Sequence, residues 1–365
     1  MLIEATSIKH ILEKILKIKA NSDTDFLILC GEEVALDIEA LIQLLNDNNI
    51  TFCGGLFPKV IHNNKSYKDK ILLLPVQFDA EPLLIQELDT GNIEIEDLAL
   101  PTTEGSLLIL VDGLSNYVSK FTYCLYKEIG PDYQVFGSGT GFSNLKRRPC
   151  LFSKEGFFQD AAVIALIKNP ITQSIRHGWK PIAGPYIATK TNANVLEQIN
   201  WEPAYEVYKE IIEKEEGIEL TEANYFDIAQ HYPFGVHRAG EENLIRDHAA
   251  EVENNAIKLG AEIPSNSVLY LMKSDTDSML SAGIEVCQDA ISKTKRPKFL
   301  FFAVCISRTW LLNEKFDEEV ENIASKAKEI PVFGVISLGE ISSANGTLLD
   351  YHHKTIVISI LEQYG

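Results

Sequence analysis

The chain has 365 residues, of which 45% are hydrophobic and 23% are charged, a composition typical of a globular protein long enough for two domains. Its 52 acidic and 33 basic residues give a formal net charge of −19 at pH 7. A surface this acidic repels phosphate backbones and anionic lipid, so we expect neither nucleic acid nor a membrane surface as a partner.

Cysteine usage and hydropathy favour a cytoplasmic protein. The six cysteines form no CxxC pair, and Cys30 and Cys305 lie in apolar segments, where a free thiol behaves as a small hydrophobic group. No apolar run approaches the ~20 residues of a membrane span. The N-terminus lacks the apolar core of a secretory signal. We therefore expect a soluble, cytoplasmic chain with reduced thiols.

The first predicted element is an amphipathic helix. Apolar residues recur at helical spacing between Ile8 and Ile15, which predicts a helix over residues 6–19 with Thr6 or Ser7 as its N-cap. The lysines on its other face are expected to be solvated.

Three stretches then repeat one order of elements: an apolar strand, a helix, a glycine-bearing strand, and a hairpin that leads into another apolar strand. The copies lie at about residues 26–74, 107–166 and 298–361. They share a pattern more than identical residues, and their periods differ, so they do not form a solenoid. Strands that alternate with helices and hairpins predict an α/β protein of layered, mixed β-sheets covered by helices.

The segment between the second and third copies differs in character. It predicts a hairpin with its turn at residues 192–194, a helix opened by Pro203, and a strand at residues 268–272. We place a domain boundary in this segment. The predicted organisation is an N-terminal helix at residues 1–23, one domain at 24–197 and a second at 198–365.

No constellation of residues indicates catalysis, so we expect a protein that is not an enzyme. The glycine loop at residues 137–141 is not followed by a helix, as a phosphate cradle requires. No metal-binding spacing of histidines or cysteines is present, so no metal site is expected. Cys305 precedes Arg308, whose guanidinium would lower the pKa of the thiol; the alternative is a buried strand cysteine.

Polar side chains at strand ends are the best candidates for ligand contacts, because α/β folds place ligands there. They are Arg308, Glu340, Arg246 and His237. An arginine suits a carboxylate and a glutamate suits an amine. The alternative for Arg308 and Glu340 is an ion pair that holds two loops together.

Taken in order, several motifs resemble the FIST family of sensory domains. The segments that carry the resemblance are Gly54-Gly55-Leu56-Phe57-Pro58, Gly137-Ser138-Gly139-Thr140-Gly141-Phe142, His177-Gly178-Trp179, Pro203-Ala204-Tyr205, Tyr232-Pro233-Phe234-Gly235, Ile245-Arg246, Cys305-Ile306-Ser307-Arg308 and Gly334 to Ile341. The match extends from about residue 24 to 361, as a FIST N-terminal domain followed by a FIST C-terminal domain. The motifs add six candidate ligand contacts: Gly54, Gly55, Gly137, Gly139, Trp179 and Cys305.

The resemblance implies a signal-input module that binds a small ligand such as an amino acid. Family members are often fused to an output domain, whereas this sequence leaves no residues for one, so we expect a stand-alone module that signals through a protein in trans. We expect no cofactor. Two alternatives stay open: a haem-based gas sensor, with His231, His237 or Cys305 as the axial ligand, and a protein-interaction scaffold.

Overall fold

The computed structural model describes residues 1–4, 7–20, 24–93, 95, 105–343 and 348–363. The α-helices are α1 Ile8–Lys19, α2 Ile38–Asp47, α3 Val118–Ile129, α4 Ala204–Glu216, α5 Tyr225–Ala229, α6 Thr276–Lys293, α7 Ile306–Leu312 and α8 Phe316–Ala327. Ser7 caps α1 by accepting from the His10 N–H, as predicted, while Thr6 lies outside the described residues. None of the described helices is long and apolar enough to cross a membrane.

The β-strands are numbered in chain order. They are β1 Leu2–Glu4, β2 Asp25–Gly31, β3 Phe52–Phe57, β4 Lys59–His62, β5 Lys65–Tyr67, β6 Lys70–Val76, β7 Leu83–Gln86, β8 Ser106–Asp112, β9 Gln134–Thr140, β10 Leu151–Ser153, β11 Gly156–Phe158, β12 Ala161–Ile167, β13 Ile171–Arg176, β14 Lys180–Asn192, β15 Val195–Ile199, β16 Glu202–Pro203, β17 Phe234–Val236, β18 Leu244–Arg246, β19 His248–Glu253, β20 Ala256–Leu259, β21 Val268–Lys273, β22 Pro297–Cys305, β23 Val332–Ser337, β24 Glu340–Ser342, β25 Asp350–His352 and β26 Ile356–Glu362.

Three of the four sheets formed by the described residues share one strand order. Sheet 1 runs β1-β6-β2-β3-β10-β11, sheet 2 runs β7-β12-β8-β9-β24-β25, and sheet 3 runs β13-β26-β22-β23-β4-β5. In each, the two central strands joined through a helix are parallel and the other pairings are antiparallel. The predicted mixed α/β architecture and its threefold repeat are therefore confirmed.

The repeated units exchange their hairpins in a cycle. The hairpin β4–β5 of the first unit pairs with β23 of the third. The hairpin β10–β11 of the second unit pairs with β3 of the first, and β24–β25 of the third pairs with β9 of the second. Each sheet is thus completed by a neighbouring unit, which links the three units into one body.

Alternating strand residues divide the core between two faces of each sheet. In sheet 2, Leu108 and Leu110 join a central cluster shared by all three sheets, whereas Leu107 and Ile109 pack beneath α3. Sheet 3 repeats the arrangement, with one face in the central cluster and the other under α6 and α8. The apolar runs of the sequence follow from this burial on both faces.

The fourth sheet is an insertion that lies between the second and third units in the chain, after β13 and before α6. It contains β14 to β21, and α4 and α5 pack against it through a cluster of their own. The predicted hairpin turn at residues 192–194 joins β14 to β15, and the predicted helix begins directly after Pro203. The boundary predicted at residue 197 falls within β15.

The glycines of the repeated strands occupy equivalent positions of close backbone approach. Gly54, Gly137 and Gly334 lie beside the carbonyl groups of Ile28, Ile109 and Phe302, and a Cβ on any of them would overlap that carbonyl oxygen. This contact accounts for the glycine in each copy of the unit.

We expect Gly137→Ala to lower the free energy of unfolding by about 1–3 kcal/mol, since the added methyl meets backbone that must move. The matched control is Gly283→Ala in α6, where the nearest atom to the new Cβ is 3.4 Å away. There the change should stabilise by about 0.5–1 kcal/mol, because alanine is the better helix former. Urea unfolding of both variants measures the two values. Equal effects would contradict the packing explanation.

Candidate functional site

A cavity of about 520 Å³ lies where α3, β25 and the inserted sheet meet. Its size is that of small-molecule sites in proteins. Four tyrosines supply much of its wall: Tyr117, Tyr123, Tyr126 and Tyr351. Apolar residues complete it: Val236, Leu244, Ile263, Pro264, Leu348 and Leu349. The cavity therefore offers an apolar, aromatic interior with a few polar groups.

Helix α3 is held beside the cavity by its apolar side and by its N-terminal end. Phe121 and Leu125 bury its apolar side on sheet 2, which turns Tyr123 and Tyr126 toward the cavity. The Glu262 carboxylate accepts from the backbone N–H groups of residues 119 and 120, at 3.2 and 3.1 Å. A carboxylate is favourable at a helix N-terminus because of the partial positive charge there, so Glu262 joins the inserted sheet to α3.

Arg246 is the buried cation of the cavity wall and is only 3% exposed. Its hydrogen bonds go to backbone carbonyls: Nε donates to Glu262 at 3.0 Å, and Nη1 donates to Tyr351 at 2.9 Å and to Ile245 at 3.3 Å. No described carboxylate forms a salt bridge with it. Burial lowers the pKa of Arg246 to about 10, so it still carries its charge at pH 7.

Arg238 supplies a second guanidinium, already paired with a carboxylate. Its Nη2 lies 2.7 Å from Asp350 Oδ1, an ion pair that ties the inserted sheet to β25. Arg238 Nε and Ser119 Oγ are buried and, within the described ranges, have no hydrogen-bond partner. Polar atoms buried without a partner are costly and rare, but these two are covered by protein and are not exposed to the cavity.

Next to Arg246, Asp247 connects the cavity wall to a second cluster of buried polar groups. Its Oδ2 accepts from Ser307 Oγ at 2.6 Å, and its Oδ1 lies 3.0 Å from Lys354 Nζ. Burial acts to raise the pKa of Asp247, but Lys354 and the Ser307 hydroxyl hold it below its usual value. The Lys354 ammonium also lies 5.6 Å from the centre of the Trp179 ring. The inserted sheet and the third unit thus share a charged contact.

Arg308 lies in this second cluster and not in the cavity. It is fully buried, and its Nη2 donates to Glu319 Oε1 at 2.5 Å. Further bonds go to the carbonyls of His177 at 2.7 Å and Met279 at 3.0 Å. The alternative of an ion pair between Arg308 and Glu340 is therefore wrong. The carboxylate that pairs with Arg308 is Glu319 of α8.

Glu340 and Cys305 are buried near Arg308 without contacting it. Glu340 Oε1 accepts from Ser337 Oγ at 2.7 Å, and burial raises the pKa of this carboxyl well above its usual value. Burial also raises the pKa of the Cys305 thiol to about 12. The negative charges of Glu340 and Asp247 raise the pKa further, so Cys305 fits the alternative of a buried strand cysteine and not a thiol activated by Arg308.

The remaining predicted contacts are spread over the fold. Gly54, Gly55, Gly137 and Gly139 lie in buried central strands where backbone packing surrounds them. Trp179 is buried beside Lys354. His237 follows β17, is exposed, and contacts Tyr270 rather than the cavity. Of the ten predicted site residues, the structure brings Arg246 alone into the described cavity wall.

Sequence reasoning missed the tyrosines of α3, and it missed Glu262 and Arg238, which bind the start of α3 and Asp350 respectively. The signal in the sequence is Tyr123, an aromatic residue that lies off the apolar face of the helix. In the structure Tyr123 is 57% exposed, while the apolar face of α3 is filled by the core. An aromatic residue on the outer face of an amphipathic helix favours a binding surface.

The haem alternative does not fit the cavity. None of the described lining residues is a histidine, cysteine or methionine. The candidate axial ligands lie elsewhere: His237 and His231 are exposed, and Cys305 is a buried thiol held in its protonated form. We derive no role for haem from these residues.

Comparison with known protein families agrees with the resemblance in the motifs. A model described as the FIST N domain matches residues 25–202, and one described as the FIST C domain matches residues 204–343. No curated protein is significantly similar to the chain. The two models cover most of the sequence in the expected order, and FIST domains are in general sensory domains that bind small ligands. The chain belongs to the FIST family, as a FIST N domain followed by a FIST C domain.

Proposed function

We propose that this protein is a cytoplasmic sensory module whose ligand, a small metabolite in the range of amino acids and related acids, binds in the cavity beside α3. The observation that carries the proposal is Arg246, a buried cation on the wall of an aromatic cavity that forms no salt bridge with a described carboxylate. A cavity with an apolar interior and a few oriented polar groups is the usual form of a small-ligand site.

Binding, rather than catalysis, is the role that the polar groups favour. The two carboxylates of the described wall are already engaged, Glu262 with the end of α3 and Asp350 with Arg238. Both carboxylates therefore hold parts of the protein together, whereas a general base is directed at the proton that it removes from the substrate.

The position of the cavity supports a sensory role. Its wall comes from the second unit, the third unit and the inserted sheet, and Asp247 continues from Arg246 into the buried charges around Lys354. A ligand that contacts all three parts stabilises one arrangement of them over others, which is the requirement for passing a signal to a protein in trans.

A thermal-melting screen of small carboxylates, amines and amino acids tests the proposal. A ligand at ~100 times its Kd adds about 2.7 kcal/mol, which raises the melting temperature by several degrees. We expect the shift to disappear in Ala193→Trp, which adds bulk at the cavity wall, and to remain in Ala80→Trp, an exposed alanine outside it. A ligand that raises the melting temperature of the wild type, Ala193→Trp and Ala80→Trp equally would bind outside the cavity and contradict the proposal.

A further inference from the structure

The described wall of the cavity carries a positive charge in a strongly negative protein. Three basic residues line it, Lys120, Arg238 and Arg246, against two acidic ones, Glu262 and Asp350, a net of +1. The whole chain has a formal charge of −19. A cavity whose charge is opposite to that of the surrounding surface selects ligands by their own charge.

The two carboxylates of the described wall already hold donors from the protein. Glu262 receives two backbone N–H groups at the start of α3, one on each oxygen. Asp350 is paired with Arg238 at 2.7 Å. An ammonium group placed in the cavity would therefore be repelled by two guanidinium groups, and would share each carboxylate with the partner that the carboxylate already has.

The guanidinium donors, in contrast, have capacity left. Arg246 donates through Nε and Nη1 to carbonyls, and its Nη2 donates to none of the described residues. Arg238 uses Nη2 for Asp350, and its Nη1 donates to none of the described residues. Planar N–H groups of this kind match the two oxygens of a carboxylate.

Resting on the proposed function, we infer that the ligand class of this cavity is an aromatic or bulky apolar carboxylate without an amine, in preference to a zwitterionic amino acid. The carboxylate contacts Arg246 and Arg238. The apolar body packs among Tyr123, Tyr126 and Tyr351, where aromatic rings stack favourably.

Three probes with one skeleton test the inference on the full chain without any substitution near Arg246. They are indole-3-propionate, which has the carboxylate alone, tryptophan, which adds the ammonium, and tryptamine, which has the ammonium alone. Isothermal titration should show binding of indole-3-propionate and a Kd for tryptophan roughly 10-fold to 100-fold weaker, since the guanidinium groups of Arg238 and Arg246 repel the added ammonium. Tryptamine should not bind.

The outcomes separate the inference from the proposed function. Tryptophan or tryptamine binding as tightly as indole-3-propionate, in a manner abolished by Ala193→Trp, would overturn the ligand class and leave the cavity as the site. Binding of any probe that persists in Ala193→Trp would overturn both. Absence of binding by indole-3-propionate at millimolar concentration would overturn the inferred class.

Discussion

Lowering the pH from 6.5 to 5.5 is expected to remove roughly 3 kcal/mol from the free energy of unfolding. The reason is a set of four buried histidines, His177, His248, His352 and His353. Burial lowers the pKa of His352 to about 4 and the pKa values of the other three to about 3. In the unfolded chain each imidazole titrates near pH 6.5.

Between pH 6.5 and about pH 4, the histidines bind more protons in the unfolded state than in the folded state, so the free energy of unfolding falls as the pH falls. Each histidine contributes about 1 kcal/mol between pH 6.5 and pH 5.5, because half of the unfolded imidazoles are already protonated at pH 6.5, and about 1.4 kcal/mol per pH unit below that. Glu340 acts in the opposite direction, because its pKa is raised in the folded state, but it is one group against four. Since domains are stable by only about 5–15 kcal/mol, we expect acid unfolding to begin above pH 4.

Urea unfolding at several pH values between 7 and 4.5 measures this effect directly, as the slope of stability against pH. His248→Phe replaces a ring stacked on Phe234 and should reduce the slope by about one proton. The same substitution at His237, which is exposed, is the matched control and should leave the slope at its wild-type value. A stability that stays constant from pH 7 to pH 5 would show that these histidines are not buried in their neutral form.

Arg308→Ala is expected to lower the free energy of unfolding by about 3–5 kcal/mol, because it leaves the Glu319 carboxylate buried without its partner. It also frees the carbonyls of His177 and Met279 from their donor. The loss should appear as a lower urea midpoint with an unchanged m-value. Ligand binding by the folded fraction should be retained, since Arg308 lies outside the cavity wall.

The double variant Arg308→Met, Glu319→Leu is the control for this prediction. It removes both charges and keeps apolar volume, and replacing a whole buried ion pair in this way is often close to neutral. We expect it to recover most of the stability lost in Arg308→Ala. An Arg308→Ala protein of wild-type stability that no longer binds ligand would instead support the contact role first expected for Arg308.

Local features of the fold were predictable because they depend on neighbouring residues. The repeated units, the cap at Ser7 and the hairpin turn at residues 192–194 all follow from periodicity and turn chemistry within short segments. The exchange of hairpins between units was not predictable in the same way. It pairs β4 with β23, which are distant in the chain, and the alternation of apolar residues in a strand is the same whichever sheet the strand joins.

The site was harder to predict for a related reason. Arg246 was identified as a polar residue at a strand end, but the cavity needs α3, the segment at residues 262–267 and β25 together. In sequence, the tyrosines of α3 are part of an ordinary amphipathic helix. Arg308 is the opposite case: it is also a polar residue at a strand end, but the structure places it outside the cavity wall, in a buried ion pair with Glu319 of α8, 11 residues later.

The central claim is that the cavity beside α3 binds a small ligand, and titration of indole-3-propionate into the wild-type chain and Ala193→Trp tests it most directly. We predict one site per wild-type chain and no detectable heat of binding in Ala193→Trp, with Ala80→Trp like the wild type. Equal binding by wild type and Ala193→Trp would contradict the claim.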